Sequence, residues 1–218
     1  GVSFNGGAQW THRVSMRHEV KDGLQRSAGS FFSTAAQLPL PVDQVTDQFE
    51  VSTRYTGKDL HGTLGYQVSL FRNALEALTW ANPFTPVVSG ATRAQLALAP
   101  DNQFHQITGS AGTMLSPMIR ASADFAIGRL TQDQSYLATT LNAALAPSVP
   151  ATPQASLQGK VDTFNGGVNL TATPLERLRI NASYARDVRD NRTPVASCAS
   201  VATDMFVGST SESNTPFT

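Results

Sequence analysis

The chain has 218 residues, 16 basic against 16 acidic side chains, and one cysteine. Only 15% of its residues are charged, where about 25% is usual for a soluble domain. Zero net charge without a basic run excludes an electrostatic nucleic-acid binder, and one cysteine excludes a disulfide framework, a cysteine zinc cluster and a CxxCH haem attachment. No apolar run approaches the roughly 18 residues of a membrane-spanning helix, which leaves a β-barrel open because its strands need only about 9 to 11 residues and one lipid-facing side. The start, GVSFNGG, shows no export signal, and the chain reads as mature or cut.

Period-two alternation dominates from the first residues, the signature of strands. Over residues 2–20, Val2, Phe4, Ala8, Trp10, Val14 and Met16 alternate with Gln9, Thr11, Arg13, Ser15 and Arg17. Residues 48–55 place Phe49, Val51 and Tyr55 opposite Glu50, Ser52 and Arg54. Residues 60–71 place Leu60, Leu64, Tyr66, Val68 and Leu70 opposite His61, Thr63, Gln67 and Ser69. Only TGKD separates these two runs, which predicts a hairpin. A further pair is predicted at about 102–115 and 118–130, joined at Ser116-Pro117, with Ile119, Ala121, Ala123, Phe125 and Ile127 against Arg120, Ser122 and Asp124. The last spans about 157–172 and 178–186, joined by TPLER, with Phe164, Val168, Leu170, Leu178, Ile180, Ala182 and Tyr184 on the apolar side.

Between these pairs, residues 21–45, 72–101 and 132–155 read as long loops rich in Pro, Ala, Ser, Thr, Asn and Asp. Such loops are uncommon in compact soluble domains, whereas outer-membrane barrels alternate short periplasmic turns with long extracellular loops. The fold class is therefore all-β: antiparallel transmembrane β-barrel strands, about seven of them over residues 1–218, with 191–218 a long loop or unpaired tail. An odd strand number does not close an ordinary bacterial barrel, so the chain is expected to be a fragment of a large one. A soluble β-sandwich or lipocalin-like binding domain shares the alternation. Low charge, long strands and polar faces of Gln, Thr, Ser, Asn and Gly weigh against it. Trp10, Tyr55, Tyr66, Phe125 and Tyr184 are candidates for an interfacial girdle.

Several ordered blocks carry a resemblance: TAAQLPLPVDQVTDQFEVSTRYTGKDLHGTLGYQVSLFRN, LTWANPF, LALAPDNQFHQITGSAG, GRLTQDQSYL and SLQGKVDTFNGGVNLTATPLERLRINASYARDVRDNRTP. From about Phe32 to Pro194 the chain resembles the decahaem-associated outer-membrane proteins of the MtrB/PioB type. The resemblance implies a Gram-negative outer-membrane barrel of about 26 strands that sheathes a periplasmic multihaem c-type cytochrome for extracellular electron transfer. An extracellular multihaem cytochrome and outer-membrane lipid are further implied partners. This chain would bind no cofactor and hold no metal; the haem belongs to the partner. The family's N-terminal cysteine motif has no counterpart here, and Cys198 is expected to be a free thiol in a loop.

The candidate lumen-facing contacts are Arg13, Arg17, Glu50, Arg54, His61, Gln67, Arg120, Asp124, Asn165, Asn169, Arg179 and Asn181, with arginine suited to haem propionates through its planar fork. His12, His18, His61 and His105 stand at no familiar ligand spacing, and Asp43, Asp47, Asp101 and Asp133 read as turn formers near strand ends. NGG at 5–7 and 165–167 reads as bends or close backbone approach. Neither GxSxG, a P-loop, HExxH nor a dinucleotide fingerprint is present, so no enzyme is expected. The rival function is a general diffusion porin, which needs the same apolar outside and polar inside.

Overall fold

A computed structural model of the protein describes residues 1–31, 34–84, 89–148, 152 and 154–195. Ten strands follow in chain order: β1 (Val2–Asn5), β2 (Trp10–Phe31), β3 (Thr34–Thr56), β4 (Leu60–Asn73), β5 (Ala77–Ala81), β6 (Arg93–Ala97), β7 (Asn102–Ser116), β8 (Ile119–Gln132), β9 (Gly159–Leu175) and β10 (Leu178–Asn191). Eight form one antiparallel meander in the order β1-β2-β3-β4-β7-β8-β9-β10, and β5 and β6 pair as a separate hairpin. Among the described residues the sheet is open, with β1 and β10 as its edges. Turns of residues 6–9, 57–59, 117–118 and 176–177 lie at one end, and the connections of residues 74–101 and 133–158 at the other.

The all-β architecture and the turn at 57–59 agree with the sequence reading, but the strand count does not. Residues 2–20 are two strands, because the turn at 6–9 interrupts them. That turn contains four residues, an even number, so the period-two pattern of β1 runs into β2 unbroken. Gly7, with a φ of 127°, supplies the left-handed backbone that glycine adopts freely.

Residues 21–45 are no loop. β2 and β3 stay paired from Trp10↔Tyr55 to Phe31↔Thr34, about ten residues past the last β3–β4 pair, Gln44↔Asn73. Pro39 and Pro41 argued against a strand, since proline cannot donate to a ladder. Here they cause no loss: Ala74 N donates to Asp43 O, so odd-numbered β3 residues direct their backbone groups away from β2. At 39 and 41 that side has no neighbouring strand, and proline there blunts a free edge.

Residues 72–101 likewise contain the β5–β6 hairpin, and 132–155 contain a turn of 3-10 helix at Ala146–Ser148 and a bridge from Ser135 to Ser156. Arg192 to Val195 follow β10; residues 196–218, and Cys198 with them, lie outside the described residues.

Candidate functional site: a two-faced sheet and its cap

Because successive side chains point to opposite faces, the register sorts every strand residue onto one face or the other. One row runs across seven strands as Val14, Val51, Tyr66, Ile107, Ile127, Phe164 and Val188. Val2 extends it onto β1. Large apolar side chains on this face stand open: Val14, Val51, Ile107, Ile127 and Val168 are all about half exposed, between 46% and 53%. None of the described side chains is fully buried, so this face has no protein core beneath it and requires an apolar medium.

Toward the long-loop end the apolar face becomes charged, and the charges there pair with each other. His18 Nδ1 lies 2.6 Å from Asp47 Oδ1. Arg129 Nε donates to Asp162 Oδ1 at 2.6 Å, and Arg192 Nε lies 2.8 Å from Asp190 and 3.4 Å from Asp162. The rim stands at His18 on β2 and at Asp190 on β10, whose row passes through Asp162 and Arg129 and reaches β2 at Met16, one step below His18 on the same face.

At the short-turn end, Trp10 and Tyr55 pack with ring centroids 4.9 Å apart, whereas Tyr184, on the same register row, stands in the middle of β10 because the strand starts are staggered. Tyr66 lies higher on this face, its hydroxyl 2.7 Å from His105 Nδ1. Phe125 lays its ring over Gly109, where an added Cβ would come within 2.2 Å.

On the other face the twelve candidate residues fall together. Arg13, Arg17, Glu50, Arg54, His61, Gln67, Arg120, Asp124, Asn165, Asn169 and Asn181 share it by register. Arg179 has the same parity beside the irregularity between Leu178 and Ile180. Some are already satisfied: Arg17 pairs with Glu19 at 2.7 Å, Ser15 donates to Glu50 at 3.2 Å, Asn165 donates to Asp187 at 2.9 Å and Thr171 donates to Asn181 at 3.0 Å. Arg13, Arg54, Arg120 and Arg179 form no ion pair or side-chain hydrogen bond among the described residues. Each stands within four residues of the short-turn end of its strand. His61, Arg120 and Asn169 line one groove of about 360 Å³ there, together with Lys58 and Thr171. The His61 ring lies over Gly112, which has no Cβ to displace it.

Near the long-loop end this polar face turns apolar, a feature that sequence reasoning missed. Phe104, Leu130 and Val161 lie side by side on it by register, and only 5% of Val161 is exposed. Leu98, Pro100 and Leu157 from the two long connections share a recess with Leu130 and Val161. On the extended hairpin, Trp80 of β5 lies over Gly29 beside Leu38. Ala36, Leu38, Leu40 and Val42 are partly covered, whereas Gln37, Pro39, Pro41 and Asp43 between them are exposed. The connections thus fold over the polar face as a cap. Its own small core contains Leu78, Ala91 and Leu145, each under a tenth exposed.

Asn142 fastens the cap's two halves. Its Oδ1 accepts from Thr92 N at 3.0 Å and Arg93 N at 2.9 Å, and its Nδ2 donates to Arg93 O at 2.8 Å. Gly90, with a φ of 91°, abuts Ala144. Asp101 and Asp133 do serve the strand ends: Asp101 accepts from Asn73 N at 2.7 Å, and Asp133 accepts from the Ser156 hydroxyl. Asp43 and Asp47 instead lie within β3. Replacing Asn142 with alanine is expected to take away the acceptor of Arg93 N and one of the two acceptors of Thr92 N, whose other is Gly90 O at 3.0 Å, at a cost of about 1 kcal/mol. Hydrogen exchange at Arg93 should then rise severalfold while β8 and β9 stay protected.

An open apolar belt under a paired charged rim, backed by a polar face, defines a transmembrane β-barrel sheet of the outer membrane. The family described as outer membrane beta-barrel porin, MtrB/PioB, matches residues 1–218, and the chain belongs to that porin-like family. A curated relative is "Outer membrane protein MtrB" of Shewanella baltica (strain OS185), 28% identical over 217 residues. The match covers all of this chain and 30% of the relative, so the chain spans about a third of that protein's length.

Proposed function

We propose that this chain is one sector of an outer-membrane sheath that holds and insulates a periplasmic multihaem c-type cytochrome, so that electrons pass through the outer membrane. The observation that carries this reading is the basic excess of the polar face, gathered toward its short-turn end. On the lipid side, Arg129, Asp162, Asp190 and Arg192 pair with one another at the rim. On the other side, Arg13, Arg54, Arg120 and Arg179 are left unpaired beside Lys58 and His61. Basic strand residues on this face outnumber acidic ones by seven to four, which suits an acidic occupant such as a cytochrome carrying haem propionates.

Electrons do not cross about 30 Å of hydrocarbon unaided. A chain of haems in a polar protein bridges that distance if a bore accepts its surface and excludes lipid. The barrel supplies position, insulation and a seal, and no redox chemistry or catalysis of its own. The unpaired arginines gather at the short-turn end, which faces the periplasm, where such a cytochrome enters. A diffusion porin shares the polar bore, but the cap over the polar face at the opposite end favours a bore that is occupied rather than open.

The full-length barrel that contains this chain provides the test, with Ser122→Cys on the polar face and Ala123→Cys on the apolar face. Labelling of the Ser122→Cys variant by a water-soluble maleimide should fall by about tenfold or more when the cytochrome is bound, because a packed interface excludes water. Labelling of the Ala123→Cys variant should not respond to the cytochrome. Equal labelling at position 122 with and without the cytochrome would overturn the sheath reading.

A further inference from the structure

On the lipid-facing side, where the apolar belt meets the long-loop end, lies a groove of about 520 Å³ with two unlike walls. Its lower wall is apolar and open: Ile107, Ile127, Phe164 and Val188 lie along one register row. Its upper lip is charged, with Arg129 and Arg192 held by Asp162 and Asp190. The two carboxylates fix the guanidiniums without consuming them. Arg192 engages both acids through Nε alone, which leaves both of its Nη groups free to donate. Arg129 uses Nε and Nη2, which leaves Nη1. Both side chains are more than half exposed. Within the groove, two guanidiniums face two carboxylates, and Lys160 stands one row farther up the same face by register, outside the lining.

We propose that this groove binds the phosphorylated headgroup of an outer-leaflet lipid, with its phosphate on Arg192 and Arg129 and an acyl chain along Ile127 and Phe164. A planar guanidinium fork matches phosphate oxygens. A phosphate group with up to about two negative charges accepts from the unused guanidinium donors, with Lys160 close above them. The apolar wall selects an amphiphile over free phosphate, and the long-loop end selects the extracellular leaflet.

The test uses the full-length barrel in phosphatidylcholine nanodiscs with and without lipid A, and counts retained lipid A by native mass spectrometry. The unaltered barrel should retain it. Arg129→Gln/Arg192→Gln should retain about tenfold less, and Lys21→Gln, on the opposite face, the same amount. Arg192→Gln alone leaves the Arg129–Asp162 pair intact, so it serves if the double variant fails to assemble, and it should still retain severalfold less. Equal retention by the unaltered barrel and an assembled arginine variant would overturn the proposal, as would inorganic phosphate at millimolar concentration displacing the lipid completely.

Discussion

Replacing Ala123 with arginine should destabilise the barrel by about 2–4 kcal/mol, the cost of a cation at the bilayer midplane, whereas Ala126→Arg should cost far less. Both substitutions put the same side chain on β8. They differ in face: Ala123 belongs to the row of Tyr55, Val168 and Tyr184, and Ala126 to the row of Arg13, Ser52 and Asn165. Ala123 is also central between Ile119 and Ile127, the ends of the apolar run on this strand. Ile127→Arg, one step below Arg129, should cost only about 0–1 kcal/mol, since the penalty fades near the interface. Denaturant titration of the full-length barrel in lipid vesicles checks the series. Equal costs for Ala123→Arg and Ala126→Arg would contradict the face assignment.

Reversing two unpaired arginines, Arg54→Glu with Arg120→Glu, should weaken cytochrome retention by about 30-fold or more without disturbing barrel assembly. Each reversal removes an attraction of about 0.5 kcal/mol and introduces a repulsion of similar size, about 2 kcal/mol for the pair, and 1.4 kcal/mol is a factor of ten. Salt separates this from a structural effect, because ions screen charges across an interface. Retention by the unaltered barrel should fall as salt rises, and retention by the double variant should barely change. A variant that holds the cytochrome as tightly as the unaltered barrel at low salt would remove the arginines from the interface.

The faces were legible because the alternation is nearly unbroken where both sides meet a uniform medium. Twelve polar residues chosen by pattern fall on one side of the sheet, and Gly57, Lys58 and Asp59 marked their turn openly. Where a face changes partner, the pattern misleads. Phe104, Leu130 and Val161 look like lapses in alternation on the polar face, yet they are where the cap rests. Residues 36–42 alternate as a strand, but Pro39 and Pro41 hid it until the unpaired edge was known. The four-residue turn at 6–9 kept the parity of two strands and so concealed itself. Asn142 had no signature at all, because its bonds join segments about 50 residues apart.

The measurement closest to the central claim is electron transfer across liposomes that carry the full-length barrel and enclose a reduced redox dye, with and without a periplasmic multihaem cytochrome. Dye oxidation by an external acceptor only when both proteins are present, with no dye leaking out, is the result expected of an insulating sheath. Dye or solute escaping equally from liposomes with the barrel alone would contradict it and make the barrel a diffusion pore.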